Sequence, residues 1–117
     1  MRPDANETLR IVLARLDDMK AEDTATIDLR DESSITDYMV VTSGRSNRHV
    51  GSVAERVIED LREAGLAGVR TEGMPHCDWV LIDAGDVIVH VFRPEVRAFY
   101  NLEKMWTRGR TTARRAS

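Results

Sequence analysis

The sequence predicts an α/β fold: one compact domain with a mixed sheet of about five strands, flanked by helices. Three observations carry the prediction. Cys77 to Trp106 reads as strand, tight turn, strand and short helix. Val50, Val53, Ala54, Val57, Ile58 and Leu61 form an apolar stripe at helical spacing. Tyr38 to Thr42 is apolar enough for a strand inside a sheet.

The elements follow in order. Asp4-Ala5-Asn6-Glu7 resembles a capping box, and Leu9, Val12, Leu13, Leu16 and Met19 then recur at helical spacing until the pattern fades near Ala21. Thr24 to Leu29 alternates as a strand, and Arg30 to Ser34 is a polar loop. After the Tyr38 strand and the break at Ser43-Gly44-Arg45, Ser46 caps the clearest helix and Gly65 ends it. Gly68 to Gly73 is a short, weak strand near a sheet edge. Trp79 to Ile82 is a continuous apolar run, which predicts a strand covered on both faces. Gly85-Asp86 has hairpin-turn chemistry. In the next strand Val87, Val89 and Val91 point one way, and Ile88, His90 and Phe92 the other. Pro94 then opens the last helix. The order is α-β-β-α-β-β-β-α, with parallel strands on either side of the long helix and an antiparallel hairpin.

A chain of 117 residues, 42% hydrophobic and 32% charged, is long enough to bury a core without a metal or disulfide. No apolar run reaches the roughly 18 residues of a membrane span, and the start of the chain is amphipathic, so a cytoplasmic protein is expected. Cys77, the single cysteine, fits a reducing compartment. Net charge is −3, yet residues 107–117 hold Arg108, Arg110, Arg114 and Arg115 and no acid, so the body is more acidic than the total. An acidic body is suited to a basic protein partner, whereas nucleic-acid affinity comes mostly from neutralised phosphates. Residues 1–106 are read as the folded domain and 107–117 as a basic, disordered tail whose contact with nucleic acid is at most weak.

Sites of chemistry are sparse. His76-Cys77-Asp78 are neighbours in sequence, which does not make a dyad; a buried structural cysteine is the plainer reading. His49, His76 and His90 lack zinc-ligand spacing, and His90 reads as a hydrogen-bonded strand histidine. Ser43 to Arg48 joins a strand to a helix start and could hold an anion with Arg45 and Arg48, but a serine-capped turn explains it equally well. Asp78, Asp83 and Asp86 are a thin basis for metal-assisted nucleotidyl transfer. No catalytic, metal or cofactor site is assigned; a small phosphate-handling enzyme is the alternative function. The aromatics say more. Trp106 reads as core, with Phe99 and Leu102 on its face, while Trp79 and Tyr100 read as surface residues. Trp, Tyr and acids side by side have the make-up of a binding hot spot for a basic protein surface.

Ser34-Ile35-Thr36-Asp37-Tyr38-Met39, Ser46-Asn47-Arg48-His49-Val50, Asp78-Trp79, Gly85 to Phe92 and Arg97 to Trp106 resemble the ribosomal silencing factor (RsfS, Iojap-like) family in its order. The resemblance runs from about Asn6 to Trp106. It implies a domain shaped like a nucleotidyltransferase without the catalytic carboxylates, and so not an enzyme. It implies binding to the large ribosomal subunit through ribosomal protein L-fourteen, a steric block to small-subunit joining, and repression of translation when nutrients are short. Trp79 and Tyr100 match family positions that contact this protein. Asp78, Asp83 and Glu103 are added from charge alone, as acids able to pair with basic groups on the partner. Family members often form homodimers, so a homodimer is possible here.

Overall fold

The computed structural model describes residues 3–100, with only the backbone of 98–100. Eight elements follow in the predicted order: α1 (Ala5–Asp18), β1 (Glu22–Asp28), β2 (Tyr38–Ser43), α2 (Asn47–Glu63), β3 (Arg70–Glu72), β4 (Trp79–Asp83), β5 (Val87–Phe92) and α3 (Pro94–Tyr100). The sheet order is β1-β2-β5-β4-β3. Only β2 and β5 pair in parallel; the other three pairings are antiparallel. β2 and β3, on either side of α2, therefore run the same way but are separated by the β4–β5 hairpin, which inserts between them.

Local chemistry accounts for the element ends. Asp4 caps α1 by accepting from the Glu7 amide at 2.8 Å. Glu7 does not complete a capping box: its carboxylate pairs with Arg10 instead, which holds it below the ordinary carboxylate range. Ser46 caps α2 by accepting from the His49 amide at 3.1 Å. An N-cap hydroxyl satisfies one of the orphan amides of the first turn, so Ser46→Ala is expected to cost about 1 kcal/mol in urea denaturation. β1 starts two residues earlier than the alternation predicts, because a register shift between Glu22 and Ala25 admits Asp23 with φ of 53°.

Both long helices lie on one face of the sheet. All six stripe residues of α2 are buried, together with Val12 and Leu16 of α1. They pack on Tyr38 and Val40, Val80 and Ile82, and Val87, Val89 and Val91. A forked ion pair ties the helices together, with Arg15 Nε and Nη2 donating to Asp60 at 2.7 and 3.1 Å. The opposite face carries a smaller cluster of Ile27, Leu29, Met39, Val41 and Phe92, against which Val96 of α3 and Trp79 pack. Arg97 of α3 donates to Ser43 Oγ at 2.9 Å.

Candidate docking face

Strand register decides which side chains meet. Trp79 pairs with Phe92, Leu81 with His90 and Asp83 with Ile88, so these six share the face opposite the long helices. Arg70 and Glu72 of β3 extend that face to the edge, opposite Asp83 and Leu81. Here the described side chains are only partly covered. Trp79, Leu81 and Ile88 are each half-buried, and β4 alternates half-buried and buried along its length. The expectation that Trp79–Ile82 is covered on both faces is therefore corrected: Val80 and Ile82 are fully covered, while Trp79 and Leu81 are only partly so. A run that is apolar on both sides does not distinguish a covered face from one kept apolar for another reason.

Trp79 is neither core nor free surface. Its ring stacks on Phe92, with centroids 5.0 Å apart, and its indole N–H donates to His90 Nδ1 at 3.0 Å. His90 in turn stacks on Phe92 at 5.7 Å. Burial lowers the His90 pKa from its ordinary value to about 4, so the ring is neutral at pH 7. Beside Trp79 a shallow groove runs between Glu72, Gly73 and Leu81. Gly73 has φ of 90°, and a Cβ there would lie 2.1 Å from the Trp79 carbonyl oxygen. Only glycine lets this loop return so close to the Trp79 backbone.

The two described acids that the sequence singled out, Asp78 and Asp83, are already employed. Asp78 is exposed and accepts from Asn47 Nδ2 at 2.9 Å, tying the start of α2 to the start of β4. Asp83 accepts from the Gly85 amide at 2.9 Å and from Arg70 at 3.3 Å, so it holds the hairpin turn. Trp79 and Asp83 thus stand at the two ends of β4, and Asp78 directly precedes it. The Tyr100 side chain, Glu103 and Trp106 lie outside the described residues. Leu81, Ile88 and Glu72 were not singled out from sequence. Parity with Trp79 along the strands points to Leu81; the register that adds Ile88 and Glu72 is not a local signal.

Other candidates are structural. Cys77 is partly rather than fully buried; it sits in the loop before β4 with φ of 57° and donates its thiol to Met74 O at 2.6 Å. At Ser43 to Arg48 the amides of Gly44 and Arg45 go to Phe92 O and His49 Nδ1, and those of His49 and Val50 to Ser46. That strand-to-helix turn is built as a cap, with few amides left for an anion. Among the described residues no three His, Cys, Asp or Glu side chains cluster as metal ligands. No described helix is long and apolar enough to cross a membrane.

Fold and face together define a small α/β domain with an aromatic-centred, partly covered sheet face. Residues 2–116 match the family described as ribosomal silencing factor during starvation. The chain belongs to the ribosomal silencing factor family. It is 50% identical over 103 residues to ribosomal silencing factor RsfS of Zymomonas mobilis, covering 88% of this chain and 77% of that one. It is 33% identical over 90 residues to a Mus musculus protein called mitochondrial assembly of ribosomal large subunit protein 1, covering 74% of this chain and 40% of that one. A crystal structure of a Chromobacterium violaceum protein superimposes with a TM-score of 0.86 at 37% identity, covering 90% of this chain and 88% of that one.

Proposed function

We propose that this protein docks through the partly covered sheet face onto the large ribosomal subunit, at ribosomal protein L-fourteen, and so blocks joining of the small subunit. It would act in the cytoplasm when nutrients are short and would work by occupancy, without catalysis. The observation that carries this reading is Trp79: a large aromatic braced from behind, half-buried among Leu81 and Ile88, with acids at the margin. Buried aromatic anchors ringed by polar groups dominate binding energy at protein interfaces. Family membership and the large-subunit wording in the mouse relative's name support a ribosomal partner. Tyr100 and Glu103 are assigned to the same contact by resemblance and by charge. A steric mechanism needs no assembled catalytic group, only a face and bulk.

The test is co-sedimentation with isolated large and small subunits. Wild-type protein is expected to travel with the large subunit alone. Trp79→Ala is expected to lose about 2 kcal/mol of binding, near thirtyfold in Kd. The same change removes the stacking on Phe92, so the variant is expected to melt somewhat earlier while still folding. Failure of the wild type to sediment with the large subunit at micromolar protein would sink the reading.

A further inference from the structure

We propose that His90 is a positioning residue for docking: it fixes the Trp79 indole against the sheet and consumes its N–H. The proposal rests on the docking face described above and deepens it. His90 lies in mid-strand of β5, the middle strand of five, and is 6% exposed. Its Nδ1 accepts from Trp79 Nε1 at 3.0 Å, with the two rings tilted at 47°. Phe92 lies against both rings, stacked at 27° on Trp79 and at 21° on His90. Three rings on neighbouring positions of β4 and β5 therefore brace one another.

The chemistry of that hydrogen bond fixes the tautomer. A neutral imidazole that accepts at Nδ1 carries its proton on Nε2. It also fixes what a partner meets. With the indole donor spent inside the protein, Trp79 offers an apolar ring surface. A partner residue placing a hydrogen-bond acceptor there gains nothing, whereas an aliphatic group, or the methylene stem of a basic side chain, is matched. Rotamer freedom of Trp79 is removed before binding, which lowers the ordering cost of the complex. Without His90 the indole N–H would lose its partner in a half-buried setting, and the ring would lose the hydrogen bond that fixes its edge while keeping its stack on Phe92.

The full chain with Trp106→Phe leaves a single indole for nitrogen-15 NMR. His90→Leu removes the acceptor. His90→Asn keeps one, since its amide oxygen takes the place of Nδ1. His90→Leu is expected to shift the indole N–H signal, speed its exchange with water, and weaken large-subunit binding about tenfold. His90→Asn is expected to restore the signal and bind within about threefold of wild type. A folded His90→Leu variant that binds as wild type does would overturn the proposal. So would ring nitrogen-15 shifts showing the proton of wild-type His90 on Nδ1 at neutral pH, a measurement that needs no variant to fold. If Trp79→Ala binds as tightly as wild type, the docking face itself fails, and the role of His90 with it, even where the indole signal reports the bond.

Discussion

Phe92→Ala is expected to destabilise the fold by about 3 to 5 kcal/mol, the range for truncating a fully buried aromatic. Phe92 is completely buried and is the largest such side chain among the described residues. It anchors the smaller of the two clusters, with Ile27, Leu29, Met39 and Val41 around it. Among the described residues this face is covered by the short α3 rather than by either long helix, so Trp79 is the described side chain best placed to move into the space left behind. Such a shift disturbs the docking residues. Since a domain of this kind has a total stability of about 5 to 15 kcal/mol, the variant would have lost a large fraction of it. Urea denaturation checks this: the midpoint should fall with an unchanged slope. A loss under about 1 kcal/mol would show that the second cluster contributes little and that the helical face alone holds the fold.

Local patterns carried much of this architecture. In α2, a cap at Ser46 and six stripe positions all find their predicted places, because helix period and capping are properties of neighbouring residues. The two faces of β5 separate as the alternation predicts, with Val87, Val89 and Val91 under the helices. Strand order was not legible. Nothing local to Val87–Phe92 says that it pairs with Tyr38–Ser43, far earlier in the chain, on one side and with its own hairpin partner on the other. The site shows the same division. Trp79 stood out because tryptophan beside an acid is a recognisable surface pairing. Asp83 was chosen from charge, yet its carboxylate turns back to the Gly85 amide and to Arg70, a local use that charge counting does not see. His90 read as a hydrogen-bonded strand histidine and is one, but its donor could be named only once β4 and β5 were in register.

Acid is expected to destabilise the protein through His90 before most carboxylates titrate. Burial holds its folded-state pKa at about 4, against about 6.5 for an unfolded histidine. Between these values the unfolded chain binds the proton and the native state does not, so stability falls as pH falls. The slope is about 1.4 kcal/mol per pH unit for one proton, giving about 2 kcal/mol between pH 6.5 and 5 and about 3 kcal/mol by pH 4. Below pH 4 the term levels off, since both states are then protonated. The charged described residues on this sheet face include Arg70, Glu72 and Asp83 at its β3–β4 side, Glu22 at its β1 side and Arg97 from α3, with the Arg93–Glu95 pair at the start of α3. Desolvation is the one cause of the shift, so salt should change the effect little. Denaturation of wild type and His90→Asn at pH 7 and pH 5 isolates it from His49 and His76, which both proteins share. Wild type should lose about 2 kcal/mol more than the variant over that interval. Equal losses would mean that native His90 takes up its proton as readily as the unfolded chain does. Protonation also puts a hydrogen on Nδ1, where the Trp79 indole donates, so the same titration that weakens the fold should release the ring on which docking depends.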